Sequence, residues 1–134
     1  MYVTETQLRV RYGETDRMGY AYYGVYASYF EVARVESLRN MGMSYKEMEE
    51  GGIMLPVLDY SIQYKKPAFY DDLLTIKTTI PELPKARIRF QYETYNEKGD
   101  LLNTADTTLV FINMATGKPC AAPENFLKKL SSYF

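Results

Sequence analysis

One acidic residue lies in a loop directly ahead of a helical segment. Asp16 is in the middle of a glycine-bounded loop, Gly13 to Gly19, and a helical pattern begins at about Tyr22. The first backbone N–H groups of a helix lack partners within the helix and carry the positive end of its dipole. They can hold a polarised carbonyl oxygen while a nearby carboxylate attacks the carbonyl carbon or deprotonates a water. Asp16 is therefore a candidate catalytic group; the alternative is a capping or loop residue, the more frequent role of such an Asp.

The composition excludes several kinds of catalytic site. The sequence of 134 residues contains no histidine, which excludes Ser-His-Asp triads, Cys-His dyads and the common histidine-containing zinc sites. Acid–base chemistry therefore falls to carboxylate, Tyr, Lys, Cys or bound water. Cys120 is in a loop-like stretch with no imidazole to activate it, and we interpret it as unreactive. Asp71 and Asp72 precede a strand pattern, and we interpret them as turn residues rather than metal ligands.

Charge and cysteine content bear on partners and location. The net charge is −1, so charge gives no reason to expect nucleic acid as a partner, and a charge near zero is compatible with self-association. The lone cysteine cannot form an intramolecular disulfide, and the N-terminal residues lack the order of a signal peptide. No apolar run approaches the ~20 residues that a membrane helix needs. We expect a cytoplasmic protein without a membrane span.

The segments on either side of Asp16 predict a strand and then a long helix. Residues 4–12 alternate between apolar and polar side chains, which is typical of a strand. From Tyr22 to Met41 apolar residues recur at spacings of three and four, and Val32 and Val35 extend the apolar surface to the other side. A helix that is apolar around most of its circumference must be enclosed by protein.

After this helix the pattern is mainly that of strands. Strands are predicted over 53–66 (with a bend near Pro56), 73–80, 87–95 and 101–114, and short helices over 45–50 and 123–133. Strands at hairpin spacing form an antiparallel sheet. We therefore predict an α+β fold in one domain, residues 1–134, with a curved antiparallel sheet around a long central helix. The apolar strand end at 109–112 needs cover on both faces, which a second subunit would supply.

The sequence around Asp16 resembles the signature of the 4-hydroxybenzoyl-CoA thioesterase and YbgC-like branch of the hotdog superfamily. The matching residues are Tyr12, Glu14, Thr15, Asp16, Gly19, Tyr22, Tyr26, Phe30, Glu31, Ala33 and Arg34. A second matching stretch covers 64–72, and the resemblance extends from about Leu8 to Leu130. It implies a hotdog fold and the hydrolysis of an acyl-CoA thioester to a free acid and CoA.

The resemblance also implies roles for individual residues. Asp16 would act as nucleophile or general base, and the backbone N–H of Tyr23, with that of Gly24, would form the oxyanion hole. Substrate contacts are implied for Thr15, Gly19 and Tyr22. Basic residues that would meet the phosphates of CoA are Lys65, Lys66, Lys85, Arg87 and Arg89, although ordinary solvated strand faces explain them equally well. The resemblance implies no metal and no cofactor beyond the CoA of the substrate. It also implies a homodimer or homotetramer whose active sites lie between subunits.

Two positions depart from the family pattern. Tyr23 stands where many YbgC-like members have histidine, although hydroxybenzoyl-type members also carry tyrosine. Val25 stands where the family has asparagine.

Three other functions are possible alternatives: an acyl-carrier-protein thioesterase, a hydratase or dehydratase, and an acyl-CoA-binding protein that keeps the groove without turnover. The hydratase sites rely on histidine, which disfavours the second. Glu31 and Arg34, three residues apart on the helix, are expected to pair with each other or to cap a neighbouring segment.

Overall fold

Segments that alternate between apolar and polar side chains form the larger of two antiparallel sheets. In the computed structural model, which describes residues 1–134, the strands are β1 (Tyr2–Arg9), β2 (Ile53–Met54), β3 (Val57–Tyr64), β4 (Leu73–Ile80), β5 (Arg87–Tyr95), β6 (Leu101–Val110), β7 (Ile112–Asn113) and β8 (Lys118–Pro119). Five of them form a sheet in the order β1-β4-β5-β6-β3, and the other three form a small sheet in the order β2-β7-β8. Every strand pair is antiparallel.

Three α-helices accompany the sheets: α1 (Val25–Arg39), α2 (Tyr45–Glu50) and α3 (Glu124–Ser131). Helix α1 packs against β1 and β4. Its buried side chains recur at spacings of three and four, namely Val25, Tyr26, Tyr29, Phe30, Ala33, Arg34, Ser37 and Leu38. The opposite side of α1, including Ala27, Glu31 and Val32, is exposed, so the protomer covers this largely apolar helix on one side. None of the helices has the length and apolarity that crossing a membrane requires.

The core lies between α1 and the inward face of the five-stranded sheet. Along β4 the buried positions alternate, and Ile76 and Ile80 are completely inaccessible, as is Phe90 on β5. Full burial of one such side chain stabilises a fold by about 1.5–3 kcal/mol relative to leaving it exposed. The prediction of an α+β fold with an antiparallel sheet is confirmed.

Several boundaries differ from the sequence-based expectation. The first strand ends at Arg9, and Tyr12–Glu14 form a short 3-10 helix. Helix α1 begins at Val25 instead of Tyr22, because the Val25 N–H closes a turn onto the carbonyl of Tyr22. The strand expected over 53–66 is interrupted at Pro56, which has no N–H to donate to a ladder. The strand expected over 101–114 is interrupted at Phe111, whose N–H donates to the carbonyl of Ala86.

Candidate active site

Asp16 lies in a tight turn that its own carboxylate helps to close. Its Oδ1 accepts hydrogen bonds from the backbone N–H groups of Met18 at 3.0 Å and Tyr20 at 3.3 Å. The Asp16 N–H donates to the carbonyl of Tyr20, and the Asp16 carbonyl accepts from Gly19. Gly19 has a φ of 82°, which side chains with a Cβ rarely adopt. Asp16 takes part in none of the ion pairs of the protomer, so its carboxylate is available to a ligand.

The carboxylate of Glu14 ties this loop to α1. It accepts hydrogen bonds from the hydroxyl of Tyr29 at 2.8 Å, from the backbone N–H of Arg11 at 2.8 Å and from the Arg11 guanidinium at 2.9 Å. Burial raises the pKa of the Glu14 carboxyl, but the hydrogen bonds from Arg11 and Tyr29 outweigh burial and hold that pKa below its usual value. Burial, followed by the bond to Glu14, raises the pKa of Tyr29. The loop is therefore fastened to the second turn of the helix by a charged acceptor.

The start of α1 presents unpaired amide groups. The backbone N–H groups of Tyr23 and Gly24 donate to no backbone carbonyl of the protomer. The hydroxyl of Tyr64 donates to the carbonyl of Tyr23 at 3.1 Å, which links the helix start to the end of β3. A Cβ on Gly24 would lie 2.6 Å from the Tyr22 ring. Two N–H donors are thus available at the positive end of the helix dipole.

A cavity of about 330 Å³ opens between the Asp16 loop, the start of α1 and the end of β3. Its lining is mainly aromatic and apolar, with one carboxylate and two ammonium groups: Asp16, Met18, Tyr20, Ala21, Tyr23, Tyr26, Tyr64, Lys65, Lys66 and Pro67. Burial raises the pKa of Tyr26 to about 12 and also raises the pKa of Tyr64. Both hydroxyls therefore remain protonated at neutral pH and act as hydrogen-bond donors rather than bases. We call this space the Asp16 cavity.

The structure brings some of the predicted site residues together in this cavity. Asp16, Tyr23, Lys65 and Lys66 line it. The remaining predicted residues of the loop and helix start adjoin it along the chain, namely Thr15, Gly19, Tyr22 and Gly24. The hydroxyl of Thr15 is engaged with the carbonyl of Tyr12 at 2.7 Å.

The other three predicted basic residues lie at the opposite end of the sheet within the protomer. Lys65 and Lys66 donate from their backbone N–H groups to Leu102 at the start of β6, whereas Arg87 is in register with Val110 at its end. Strands rise about 3.3 Å per residue, so this separation is most of the length of the sheet. Lys85 and Arg87 are exposed, and Arg89 forms an ion pair with Asp106 at 2.8 Å.

Sequence reasoning missed several residues of the site. Met18 and Tyr20 line the cavity from the same loop as Asp16, and their closeness along the chain was the available signal. Tyr64 begins the second stretch that resembles the family, but that resemblance gave it no role in the site. The Glu14–Tyr29 bond carried no signal, because no local spacing rule joins Tyr29 to the loop. The expected Glu31–Arg34 ion pair is not formed: Arg34 is buried and donates to the hydroxyl of Tyr92 at 3.2 Å.

Neither Cys120 nor the acidic residues assemble into a metal centre. No group of three or more Cys, Asp or Glu side chains lies close enough together to hold a metal ion. Cys120 is a half-buried free thiol. Asp72 accepts a hydrogen bond from the N–H of Phe69 at 2.9 Å, which is a turn contact.

Comparisons with known proteins give a consistent result. A model of the thioesterase-like superfamily matches residues 10–130. The acyl-CoA thioester hydrolase YbgC of Escherichia coli O6:H1 is 30% identical over 120 residues, which cover 90% of each chain. The long-chain acyl-CoA thioesterase FadM of Escherichia coli K12 is 31% identical over 94% of this chain and 96% of that one. The solved structure of a DHNA-CoA thioesterase from Staphylococcus aureus is 38% identical, with a TM-score of 0.94 over 99% of this chain and 91% of the other.

Proposed function

The chain belongs to the thioesterase-like superfamily, and we propose that it hydrolyses acyl-CoA thioesters to a free acid and CoA with Asp16 as the catalytic carboxylate. Membership in this superfamily confirms the resemblance that the residues from Tyr12 to Arg34 suggested, and relatives along nearly the whole chain are named acyl-CoA thioesterases. The strongest support for the role of Asp16 is its position, because its carboxylate shares one cavity with the start of α1 and with Lys65.

The proposed chemistry uses the carboxylate and the helix start together. The thioester carbonyl oxygen would accept hydrogen bonds from the N–H groups of Tyr23 and Gly24, which have no backbone partner in the protomer. As a general base, Asp16 takes a proton from water, the water oxygen bonds to the carbonyl carbon, the C–S bond breaks, and the proton passes to the departing CoA thiolate. As a nucleophile, Asp16 itself bonds to the carbonyl carbon, the C–S bond breaks, and CoA leaves as a thiolate that takes a proton from solvent. Water then hydrolyses the mixed anhydride, which releases the free acid and restores the Asp16 carboxylate.

We infer that the substrate meets both the loop and a basic rim. Thr15, Gly19 and Tyr22 are next along the chain to residues that line the cavity and would lie near the acyl carbonyl, and the exposed Lys65 and Lys66 line the cavity itself. Ammonium groups at an exposed rim suit the phosphates of CoA, because a positive charge and several donors meet each phosphate. CoA then enters as part of the substrate, without a further cofactor and without a metal. A thioester of an acyl carrier protein offers the same reactive carbonyl and is the alternative substrate.

We further propose that the active form is a homodimer, or a tetramer built from such dimers, paired through β3. Every residue of this edge strand except Ile62 is exposed, and Leu58 and Val57 are 52% and 50% exposed. If two β3 strands pair antiparallel, the end of the strand in one protomer meets its beginning in the partner. The partner's Lys85, Arg87 and Arg89 would then approach the Asp16 cavity, which supports a role for them in CoA binding across the interface.

We also propose the domain organisation of the protein, the covering of α1 and the cellular location. The packing of α1 on the sheet supports a single hotdog domain, residues 1–134, in which the sheet curves around a central helix. The second subunit would cover the exposed side of α1. The unpaired Cys120 supports a reducing, cytoplasmic location.

A substrate screen with matched variants tests this function. Aromatic, short-chain and long-chain acyl-CoAs, and acyl carrier protein thioesters, are assayed with a thiol-reactive dye that detects released CoA or carrier thiol. Asp16→Asn keeps the oxygen that accepts from Met18 and Tyr20, so its melting temperature should not change, while its turnover should fall by about 10²–10⁴-fold. Asp71→Asn removes a similar charge from a neighbouring loop outside the cavity and should leave turnover intact.

Two outcomes would contradict the proposal. Full activity of the Asp16→Asn variant would exclude Asp16 as the catalytic carboxylate. Tight binding of acyl-CoAs without release of CoA from any of them would instead identify a binding protein, an alternative that is consistent with the Tyr23 and Val25 departures.

A further inference from the structure

The peptide that joins Tyr23 to Gly24 has no backbone hydrogen bond at either end. The N–H of Gly24 donates to no backbone carbonyl, and the carbonyl of Tyr23 accepts from no backbone N–H. No side chain caps the start of α1 at Gly24. Glycine also tolerates a wide range of φ values, so the backbone alone holds this peptide loosely.

The turn ahead of α1 gives the two unpaired amides a common direction. The N–H of Val25 donates to the carbonyl of Tyr22 at 3.1 Å and closes this turn, and Gly24 within it has a helical φ of −74° and ψ of −18°. In a helical turn the N–H groups point towards the N-terminal end and the carbonyls point the other way. A peptide unit is planar and trans, so the Tyr23 carbonyl and the Gly24 N–H point in opposite directions. A contact that fixes this carbonyl therefore also fixes the direction of the N–H.

Tyr64 supplies that contact from the sheet. Its hydroxyl donates to the carbonyl of Tyr23 at 3.1 Å, which leaves the N–H groups of the turn free for a ligand. The Tyr64 ring lies beside that of Tyr26, with the ring centroids 5.7 Å apart. The next residue, Lys65, donates its N–H to the carbonyl of Leu102 at 2.8 Å, so the end of β3 is anchored to β6. Burial raises the pKa of Tyr64, and the hydroxyl therefore keeps its proton at neutral pH and acts as a donor.

We propose that Tyr64 is a positioning residue of the active site, whose hydroxyl holds the Tyr23 carbonyl and thereby fixes the direction in which the Gly24 N–H meets the thioester oxygen. This role rests on the proposed function, in which the N–H groups of Tyr23 and Gly24 form the oxyanion hole. Preorganised donors stabilise the charge of the transition state because they need not reorient during the reaction. Loss of the Tyr64 hydroxyl should therefore slow the chemical step more than it weakens substrate binding.

The kinetics of Tyr64→Phe test this effect on turnover. The variant keeps the ring beside Tyr26 and removes only the donor. The substrate is whichever of benzoyl-CoA, acetyl-CoA and octanoyl-CoA the native protein hydrolyses fastest. The kcat should fall by about 10- to 100-fold, while KM should change by less than about twofold.

Tyr60→Phe is the matched control. Tyr60 lies four residues earlier on the same face of β3, and its ring likewise lies beside an aromatic residue of α1, with its centroid 6.2 Å from that of Phe30. The substitution removes a tyrosine hydroxyl from the same strand without touching the start of α1. It should keep the native kcat.

A pair of isotope labels tests the peptide itself and needs no turnover. Tyrosine precedes glycine at only two places in the chain, Tyr12–Gly13 and Tyr23–Gly24. A sample with carbonyl-¹³C tyrosine and ¹⁵N glycine therefore gives two tyrosine–glycine peaks, and the Tyr12–Gly13 peak is an internal reference. In Tyr64→Phe the carbonyl resonance of Tyr23 should move upfield because it loses its donor, and the Gly24 N–H resonance should move with it. The reference peak should stay in place, and Tyr60→Phe should move neither peak.

Failure of this role and failure of the proposed function give different results. Native kcat in Tyr64→Phe, together with native hydrolysis that Asp16→Asn lowers, would overturn the role of Tyr64 and leave the proposed function in place. An unmoved Tyr23–Gly24 peak, an equal fall of kcat in Tyr60→Phe, or a raised KM at native kcat would also overturn the role of Tyr64. An absence of hydrolysis by the native protein would overturn the proposed function and the role of Tyr64 with it.

Discussion

The carboxylate of Glu14 accepts a 2.8 Å hydrogen bond from the hydroxyl of Tyr29, and this contact joins the Asp16 loop to the second turn of α1. The Arg11 backbone N–H donates to the same oxygen of this carboxylate, and the Arg11 guanidinium donates to the other oxygen. The loop and the helix start must keep a fixed separation if Asp16 and the N–H groups of Tyr23 and Gly24 are to act on one carbonyl. We therefore regard Glu14 and Tyr29 as positioning residues.

Removal of the Tyr29 hydroxyl should reduce turnover more than it affects substrate binding. Tyr29→Phe keeps the ring in the core but deletes the donor to Glu14, and a hydrogen bond to a charged group contributes about 1.5–3 kcal/mol. We expect that order of loss in the free energy of unfolding, measured in urea, and a lower kcat with a smaller change in KM.

The control for this variant is Tyr2→Phe. It deletes another buried hydroxyl, which donates to the carbonyl of Ser37 at 2.7 Å at a distance from the loop. It should lose stability and keep its kcat. Equal losses of kcat in both variants would mean that the Glu14–Tyr29 contact has no special role in positioning.

The ionisation of Glu14 should make stability depend on pH in the acid range. Hydrogen bonds from Arg11 and Tyr29 outweigh burial and hold the pKa of Glu14 below its usual value in the folded protein, which is about 4.3 in an unfolded chain. The unfolded chain therefore binds a proton first as the pH falls. The stabilisation is complete above about pH 4.3 and is lost as the pH falls through the lower pKa of the folded state.

Urea unfolding between about pH 6 and pH 3 measures this contribution. The variant Glu14→Gln should lose part of the native acid-side slope. The exposed Glu82, replaced in Glu82→Gln, is the matched control and should keep the native slope. A slope that is unchanged in Glu14→Gln would contradict the assignment.

Gly19 should be required for the conformation of the turn that holds Asp16. Its φ of 82° is matched by the φ of 83° at Gly99 in the β5–β6 hairpin, so alanine meets similar backbone strain at both positions. Each substitution should cost about 1–3 kcal/mol of stability. Only Gly19→Ala should also lower turnover, because the Gly19 N–H closes the turn onto the Asp16 carbonyl. A comparable fall in turnover for Gly99→Ala would indicate a general loss of folded enzyme.

Local patterns predicted the regular elements well where one face is buried. The strands β4 and β5 were predicted with the limits that the structure gives, since apolar residues such as Ile76 and Phe90 alternate with polar ones on a half-buried surface. The start of α1 was predicted three residues early. Tyr22 continues the apolar spacing of the helix, but its carbonyl closes a turn instead.

Local sequence patterns could not predict the long-range contacts that assemble the site. The N–H of Ala21 donates to the carbonyl of Ala68 at 2.8 Å, and this long-range contact, together with the Tyr64–Tyr23 hydrogen bond, brings the Asp16 loop beside Lys65. Spacing on one helix also favoured a Glu31–Arg34 pair, which was wrong. Arg34 instead reaches Tyr92, 58 residues away, because the side of α1 that carries Arg34 packs on the sheet.

The exposed edge of β3 should mediate self-association, and a charge introduced there should abolish it. The two edge strands of the sheet differ: β1 alternates in burial, whereas β3 is exposed along almost its whole length. A lysine on a strand edge opposes pairing with another strand, so Leu58→Lys should yield a monomer in sedimentation velocity. Val3→Lys, on the exposed face of β1, is the control and should keep the native assembly. Because the partner's Arg87 and Arg89 are proposed to contact CoA, the monomer should also have a higher KM for acyl-CoA. A monomeric variant with native KM would show that each protomer binds its substrate alone.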